Sequence, residues 1–199
     1  MVRNKKIYAV LIAAFTALSS QILVGQEYPD SLTVPATDSP VAEPVCMNVH
    51  APLVRTGIEV LRDRGFDVLQ GKRIGLVTNP SGVDSKLNST IDILYGAEGV
   101  KLVALYGPEH GVRGDKYAGD KVGEETDLTT GLPVHSLYGA SRKPTAKMLE
   151  GLDAVVYDIQ DIGVRSYTFI STLGLVMEAC GELGIEVIVL DRPNPLGGL

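Results

Sequence analysis

The chain has 199 residues, 45% of them hydrophobic, and a formal net charge of −6. That length holds one sizeable domain with an ordinary globular core. The acidic balance argues against a nucleic-acid binder, which needs a basic face.

Taken from the start, Arg3, Lys5 and Lys6 form a positive segment with no acidic residue before position 27. Ile7 to Leu18 is an apolar stretch that fits the ~7–15 residues of a signal-peptide core. It is shorter than the ~20 apolar residues of a membrane span. Residues 1–26 are therefore expected to be an export signal, cut near Ala17-Leu18-Ser19 or after Gly25 or Gln26. The mature protein is expected to be periplasmic or extracellular, with no stable membrane span. Residues 27–53 carry Pro29, Pro35, Pro40, Pro44 and Pro52 among Ser, Thr, Asp and Glu, and read as an extended linker. The folded part is expected to begin at Val54 and run to Leu199.

Within it, Val54, Ile58, Val60 and Leu61 suit a short helix ended by Gly65. Arg73–Thr78 is a short apolar strand followed by the turn Asn79-Pro80-Ser81-Gly82. Thr90–Tyr95 suits a helix capped by Ser89, and Lys101–Tyr106 a second strand. Residues 107–133 hold no long apolar run. Pro133–Tyr138 reads as a short extended piece and Thr145–Leu149 as a helical turn. Ala154–Ile159 is a strand, Thr172–Leu183 a helix and Glu186–Leu190 the last strand. Near-continuous apolar strands alternating with helices predict an α/β fold, a parallel sheet covered on both faces. Cys180 falls in the helical pattern as a small core residue, and Cys46 in the linker; nothing demands a disulfide, and there is no C-x-x-C motif.

In such sheets ligands bind beyond the carboxyl ends of the strands. Four strands run straight into polar groups: Thr78-Asn79-Pro80-Ser81, Gly107-Pro108-Glu109-His110-Gly111, Asp158-Ile159-Gln160-Asp161 and Asp191-Arg192-Pro193-Asn194. If parallel, they share one rim. Glu109, between a stiff proline and permissive glycines, suits general acid or base work. Asp161, already in its loop, is the better second carboxylate, while Asp158 and Asp161 also suit turn hydrogen bonding. Arg113, Arg165 and Arg192 suit two-pronged carboxylate binding. His110 suits a substrate hydrogen bond more than a metal, and Tyr167 a sugar contact. Three dispersed histidines make no zinc signature. The dinucleotide, P-loop and hydrolase-elbow motifs are all missing, so no cofactor is expected.

These residues resemble one family. Gly107-Pro108-Glu109-His110-Gly111-Val112-Arg113-Gly114 is similar to its G-P-E-H-G-x-R-G signature. Further matches are Thr130–Val134 with Ser136–Gly139, Asp158–Gly163 with Arg165 and Tyr167-Thr168, and Leu190–Gly198. The family is the DUF1343 proteins, which include exo-β-N-acetylmuramidases of the NamZ type, and the resemblance runs over residues 54–199. It implies a Rossmann-like N-terminal domain without a dinucleotide, a smaller C-terminal domain, and a cleft between them. It implies release of N-acetylmuramic acid from non-reducing ends of peptidoglycan fragments, with Glu109 at the catalytic glutamate position. The lactyl carboxylate would fall to Arg113, Arg165 or Arg192, and the hydroxyls and acetamide to Asn79, Gln160 and Asn194. Peptidoglycan-derived sugars or muropeptides are thus the expected partners. The second catalytic group stays open between Asp161 and the substrate acetamide. Two departures stand out: the sequence stops just after the last motif, so the implied second domain is expected to be missing, and His135 stands where the family is often aromatic. A cell-wall-binding protein without turnover, and a metal-dependent hydrolase using Glu109, His110 and Asp161, are the competing readings.

Overall fold

The computed structural model describes residues 54–108, 111–114, 125–139 and 142–197. The segments expected to be signal and linker, residues 1–53, and Glu109 and His110 lie outside these residues.

Six strands form one sheet: β1 (Arg73–Thr78), β2 (Lys101–Gly107), β3 (Glu125–Thr126), β4 (Pro133–Ser136), β5 (Ala154–Asp158) and β6 (Glu186–Val189). Their order is β3-β4-β2-β1-β5-β6. All pairings are parallel except β3 with β4. Among the described residues three α-helices accompany it, α1 (Gly57–Asp63), α2 (Thr90–Tyr95) and α3 (Phe169–Leu183), with one 3₁₀ turn at Asp67–Leu69.

The strands are apolar because both faces are covered. Ile58 and Leu61 of α1 and Ile91 and Leu94 of α2 pack with Ile74, Leu76, Val156 and Ile188 on one face. Val176, Ala179 and Cys180 of α3 pack with Val77, Tyr106, Val155 and Val187 on the other. Strand alternation sorts neighbouring residues into these two clusters. In β2 the alternation is broken once. Ile74 pairs with Leu102 but Gly75 pairs with Ala104, so Val103 is a bulge. Leu102 and Leu105 therefore reach the same face, and Ala104 and Tyr106 the other. Gly75 makes room for the Tyr106 ring, since a Cβ there would lie 2.7 Å from it. The Tyr106 hydroxyl donates to the Met148 carbonyl, and burial pushes its pKa upward.

The short helices are held by their ends. Glu59 of α1 accepts from the Thr56 backbone N–H (2.8 Å) and hydroxyl (3.0 Å) in a capping box. The Ser85 hydroxyl also donates to it. The hydrogen bonds from Ser85 and then Thr56 hold the Glu59 carboxyl at about 2. Ser89 caps α2, accepting from the Ile91 N–H at 3.2 Å. Gly184, in the left-handed region at φ 69°, ends α3.

Most elements lie where the sequence reading puts them. The differences are at ends. The first helix starts at Gly57 rather than Val54, and α3 starts at Phe169, three residues earlier than its apolar period suggests. Gly57 donates to the Asp191 carbonyl at 2.8 Å, which fixes where α1 begins. The extended piece at Pro133 is a true sheet member, β4, and stops at Ser136. The two-residue β3 has no counterpart in the sequence reading. Among the described residues no helix is long and apolar enough to cross a membrane.

Candidate active-site rim

Because β1, β2, β4, β5 and β6 run parallel, their carboxyl ends share one rim. The loops after β1, β5 and β6 and the Gly107-Pro108 end of β2 therefore lie along one rim. Three of them are stitched directly. Asn79 Oδ1 accepts from the Ser81 N–H (3.0 Å) and hydroxyl (2.5 Å). Ser81 Oγ in turn accepts from the Gln160 N–H at 2.9 Å. Gln160 Nε2 donates to the carbonyls of Asp161 (2.6 Å) and Pro193 (2.9 Å). The loops after β1, β5 and β6 thus form one polar lattice. Asn79 and Gln160, expected to meet substrate, spend these groups on holding the loops.

Arg192 lies beneath this lattice. Its Nε and one Nη donate to the two oxygens of Asp158 at 2.6 and 2.9 Å, and the same Nη donates to the Val83 carbonyl at 2.9 Å. Thr90 Oγ1 adds a bond to Asp158 at 2.5 Å. The side chains are only 6% and 1% exposed. The geometry makes Arg192 the partner of a buried carboxylate, where the sequence reading has a substrate contact. Its buried aspartate belongs to the β5 end, so the pair ties β5, β6, α2 and the β1 loop together. Asp158 accordingly takes side-chain donors, not the turn N–H groups expected of it.

The β2 end is built differently. Gly111-Val112-Arg113-Gly114 follow the outlying Glu109 and His110. Val112 is buried in the core beside α2 and β4. Gly114, at φ 79°, backs onto Pro80, and a Cβ there would lie 2.8 Å from that ring. Arg113 Nε and Nη donate to Asp127 at 2.5 and 3.1 Å, and its two Nη atoms donate to Asp92 at 2.8 and 3.3 Å. Asp127 also accepts from the Thr130 N–H (2.9 Å) and hydroxyl (2.6 Å) in the turn between β3 and β4. Arg113, then Thr130, hold the Asp127 carboxyl at about 2, and Asp127 with Asp92 raises Arg113 further. Arg113 is committed to two carboxylates, where the sequence reading has a substrate contact. Asp127 and Asp92 were missed. The only cue to the first was an aspartate three residues before Thr130, a turn-capping spacing.

A cavity of about 220 Å³ opens here, lined by Pro108, Gly111, Arg113, Asp127, Val134 and His135 among others. The His135 ring lies 5.2 Å from that of Tyr106. A second cavity of about 200 Å³ lies at the other end of the rim, lined by Tyr157, Asp161, Gly163, Phe169, Ile170 and Asn194 among others.

Of the remaining candidates, Asp161 and Asn194 line this second cavity, and Arg165 and Tyr167 follow Gly163 on the loop before α3. Asp161 Oδ1 accepts from the Gly163 N–H at 2.7 Å, as a turn carboxylate should. Asn194 Oδ1 accepts from the Leu196 N–H at 3.0 Å. Tyr167 is exposed and meets Phe169 edge-on, ring centroids 5.3 Å apart. Arg165 is exposed, and its guanidinium makes no ion pair or hydrogen bond among the described residues. Among the described residues no three His, Cys, Asp or Glu side chains are grouped to hold a metal.

Residues 74–199 match the family model of the exo-β-N-acetylmuramidase NamZ N-terminal domain. The chain belongs to the NamZ family. It is 56% identical over 147 residues to the peptidoglycan β-N-acetylmuramidase NamZ of Bacillus subtilis (strain 168), covering 74% of this chain and 36% of that protein. Two crystal structures of DUF1343 family proteins from Bacteroides fragilis NCTC 9343 are similar. One shares 63% identity at a TM-score of 0.68, covering 73% of this chain and 36% of the other. The second shares 33% identity at a TM-score of 0.59, with 71% and 35% covered. The chain thus spans about a third of the length of these relatives. The α/β fold is that of the NamZ family, and every candidate residue on the rim falls inside the matched span.

Proposed function

We propose that the protein carrying this NamZ-family domain is an exo-acting glycoside hydrolase. It releases N-acetylmuramic acid from the non-reducing ends of peptidoglycan fragments, in cell-wall turnover or recycling. The observation that carries this reading is the shared rim. Four polar strand ends, expected from sequence to hold a site, lie together at the carboxyl edge of a parallel sheet. The 56% identity to a B. subtilis peptidoglycan β-N-acetylmuramidase supplies the substrate class.

Cleavage of a glycosidic bond needs an acid to protonate the leaving oxygen. Glu109 takes that role; Pro108 before it and Gly111 two residues after it lie at the β2 end, beside the end of the strand and buried Val112. Asp161 is proposed to activate water or stabilise charge. One of its oxygens accepts the Gly163 N–H at 2.7 Å, which fixes the orientation of the carboxylate. The protein acts after export, in the periplasm or outside the cell, where its polymeric substrate lies.

The test is release of 4-nitrophenol from 4-nitrophenyl β-N-acetylmuramide by the full-length protein. Glu109→Gln is expected to lower kcat about 10³-fold, within the span typical of a lost general acid. Undiminished turnover in that variant removes Glu109 from the mechanism. Mass spectrometry of digested glycan fragments is expected to show free N-acetylmuramic acid as the sole small product; internal fragments would mean endo-cleavage.

A further inference from the structure

We propose that Arg165 selects substrate by its charge, pairing with the lactyl carboxylate of the muramic acid residue; this rests on the muramidase reading above. Arginine suits the task because its planar fork matches a carboxylate with two parallel hydrogen bonds. Of the three arginines at the strand ends, two are already occupied. Arg192 faces both oxygens of Asp158, and Arg113 those of Asp127 and Asp92. Turning either toward substrate would strand a carboxylate of which at most 3% is exposed, at a cost of several kcal/mol. Arg165 carries no such commitment.

Its loop is nonetheless fixed. Gly163 donates to Asp161 at 2.7 Å, Tyr167 donates to the Val164 carbonyl at 3.1 Å, and Gln160 ties the loop to Pro193 at 2.9 Å. Gly163 backs so closely onto Asn194 that a Cβ would lie 2.5 Å from its side-chain oxygen. Because the loop is fixed, pairing with an anion spares the backbone any ordering and costs only the rotamer freedom of the Arg165 side chain. Two donors without an acceptor among the described residues belong to the same region: the Tyr167 hydroxyl, on the loop itself, and Asn194 Nδ2, whose side chain lies against Gly163. The cavity lined by Asp161 and Gly163 of this loop offers Ile159, Phe169 and Ile170 to the lactyl methyl group. Its charged lining is Asp161, Asp191 and an Arg192 already paired with Asp158, so an anion there needs a further guanidinium to offset the two carboxylates.

The experiment compares two substrates on the full-length protein: 4-nitrophenyl β-N-acetylmuramide, and the same compound with its lactyl carboxylate converted to an N-methylamide. The unaltered protein is expected to favour the free acid in kcat/KM by about 10- to 100-fold, the range of a hydrogen-bonded charge. Arg165→Gln should lose that factor on the free acid alone, leaving the amide and the thermal midpoint unchanged. Arg165→Lys should recover part of it. Equal losses on both substrates in Arg165→Gln, or no preference in the unaltered protein, overturn the assignment. Cleavage of neither substrate by the unaltered protein overturns the muramidase reading itself, and this assignment with it.

Discussion

The two ends of the rim use the same pair of residue types to opposite effect. At the β5–β6 end, Arg192 and Asp158 are sealed in, 6% and 1% exposed. At the β2 end, Arg113 is 27% exposed while its partner Asp127 is 3% exposed, and a second aspartate, Asp92, stands by. A sealed pair has one geometry and no solvent to replace a missing partner. A half-open one keeps both a spare carboxylate and water. The first is therefore a structural joint, and the second a bracket whose charge responds to its surroundings.

The largest effect that would break this contrast is at the sealed pair. Asp158→Asn leaves Arg192 charged and unmatched, and unfolding free energy in urea is expected to fall by about 3–5 kcal/mol. The double change Asp158→Leu with Arg192→Met should cost less than Asp158→Asn alone, because it strands no charge. Asp127→Asn should cost only about 1–2 kcal/mol, since Arg113 keeps Asp92. If the two aspartates cost the same, exposure does not set the order.

Acid sharpens the comparison. The Asp127 carboxyl is held at about 2 against an ordinary 3.8, chiefly by Arg113. A lowered folded value means that its stabilisation is complete above about pH 3.8 and is lost as pH falls toward about 2. Unfolding free energy measured between those limits should fall less steeply in Asp127→Asn. The smallest effect belongs to the open surface. Lys143 pairs directly with Glu178 and Glu182 at 2.9 and 2.8 Å on the protein surface. Lys143→Ala should leave the urea midpoint almost unchanged, and change it still less in high salt.

The fold was largely legible because its strands are apolar on both faces. β1 runs from Arg73 to Thr78 and α2 from Thr90 to Tyr95, the bounds their composition suggests. β3 was not legible, since two residues, Glu125 and Thr126, carry no period. The rim was legible as a place, because polarity after an apolar strand marks its carboxyl end. The duties of its residues were not. Sequence presents Arg113, Arg165 and Arg192 as equals, and only the pairing of Asp127 and Asp158 with two of them separates the third. Those pairings span 14 and 34 positions, beyond any local pattern.

The bulge at Val103 has a consequence for how this gene can vary. It gives β2 one residue more than β1 over the paired stretch. Removing that one codon would restore plain alternation and leave Leu102, Ala104, Leu105 and Tyr106 on the faces they now hold. Adding one would instead demand a second bulge, or turn Leu105 and Tyr106 each to the wrong face. Substitutions at Val103 are tolerable to the extent that they fit its half-buried place. The strand has one residue to spare here and no room for another.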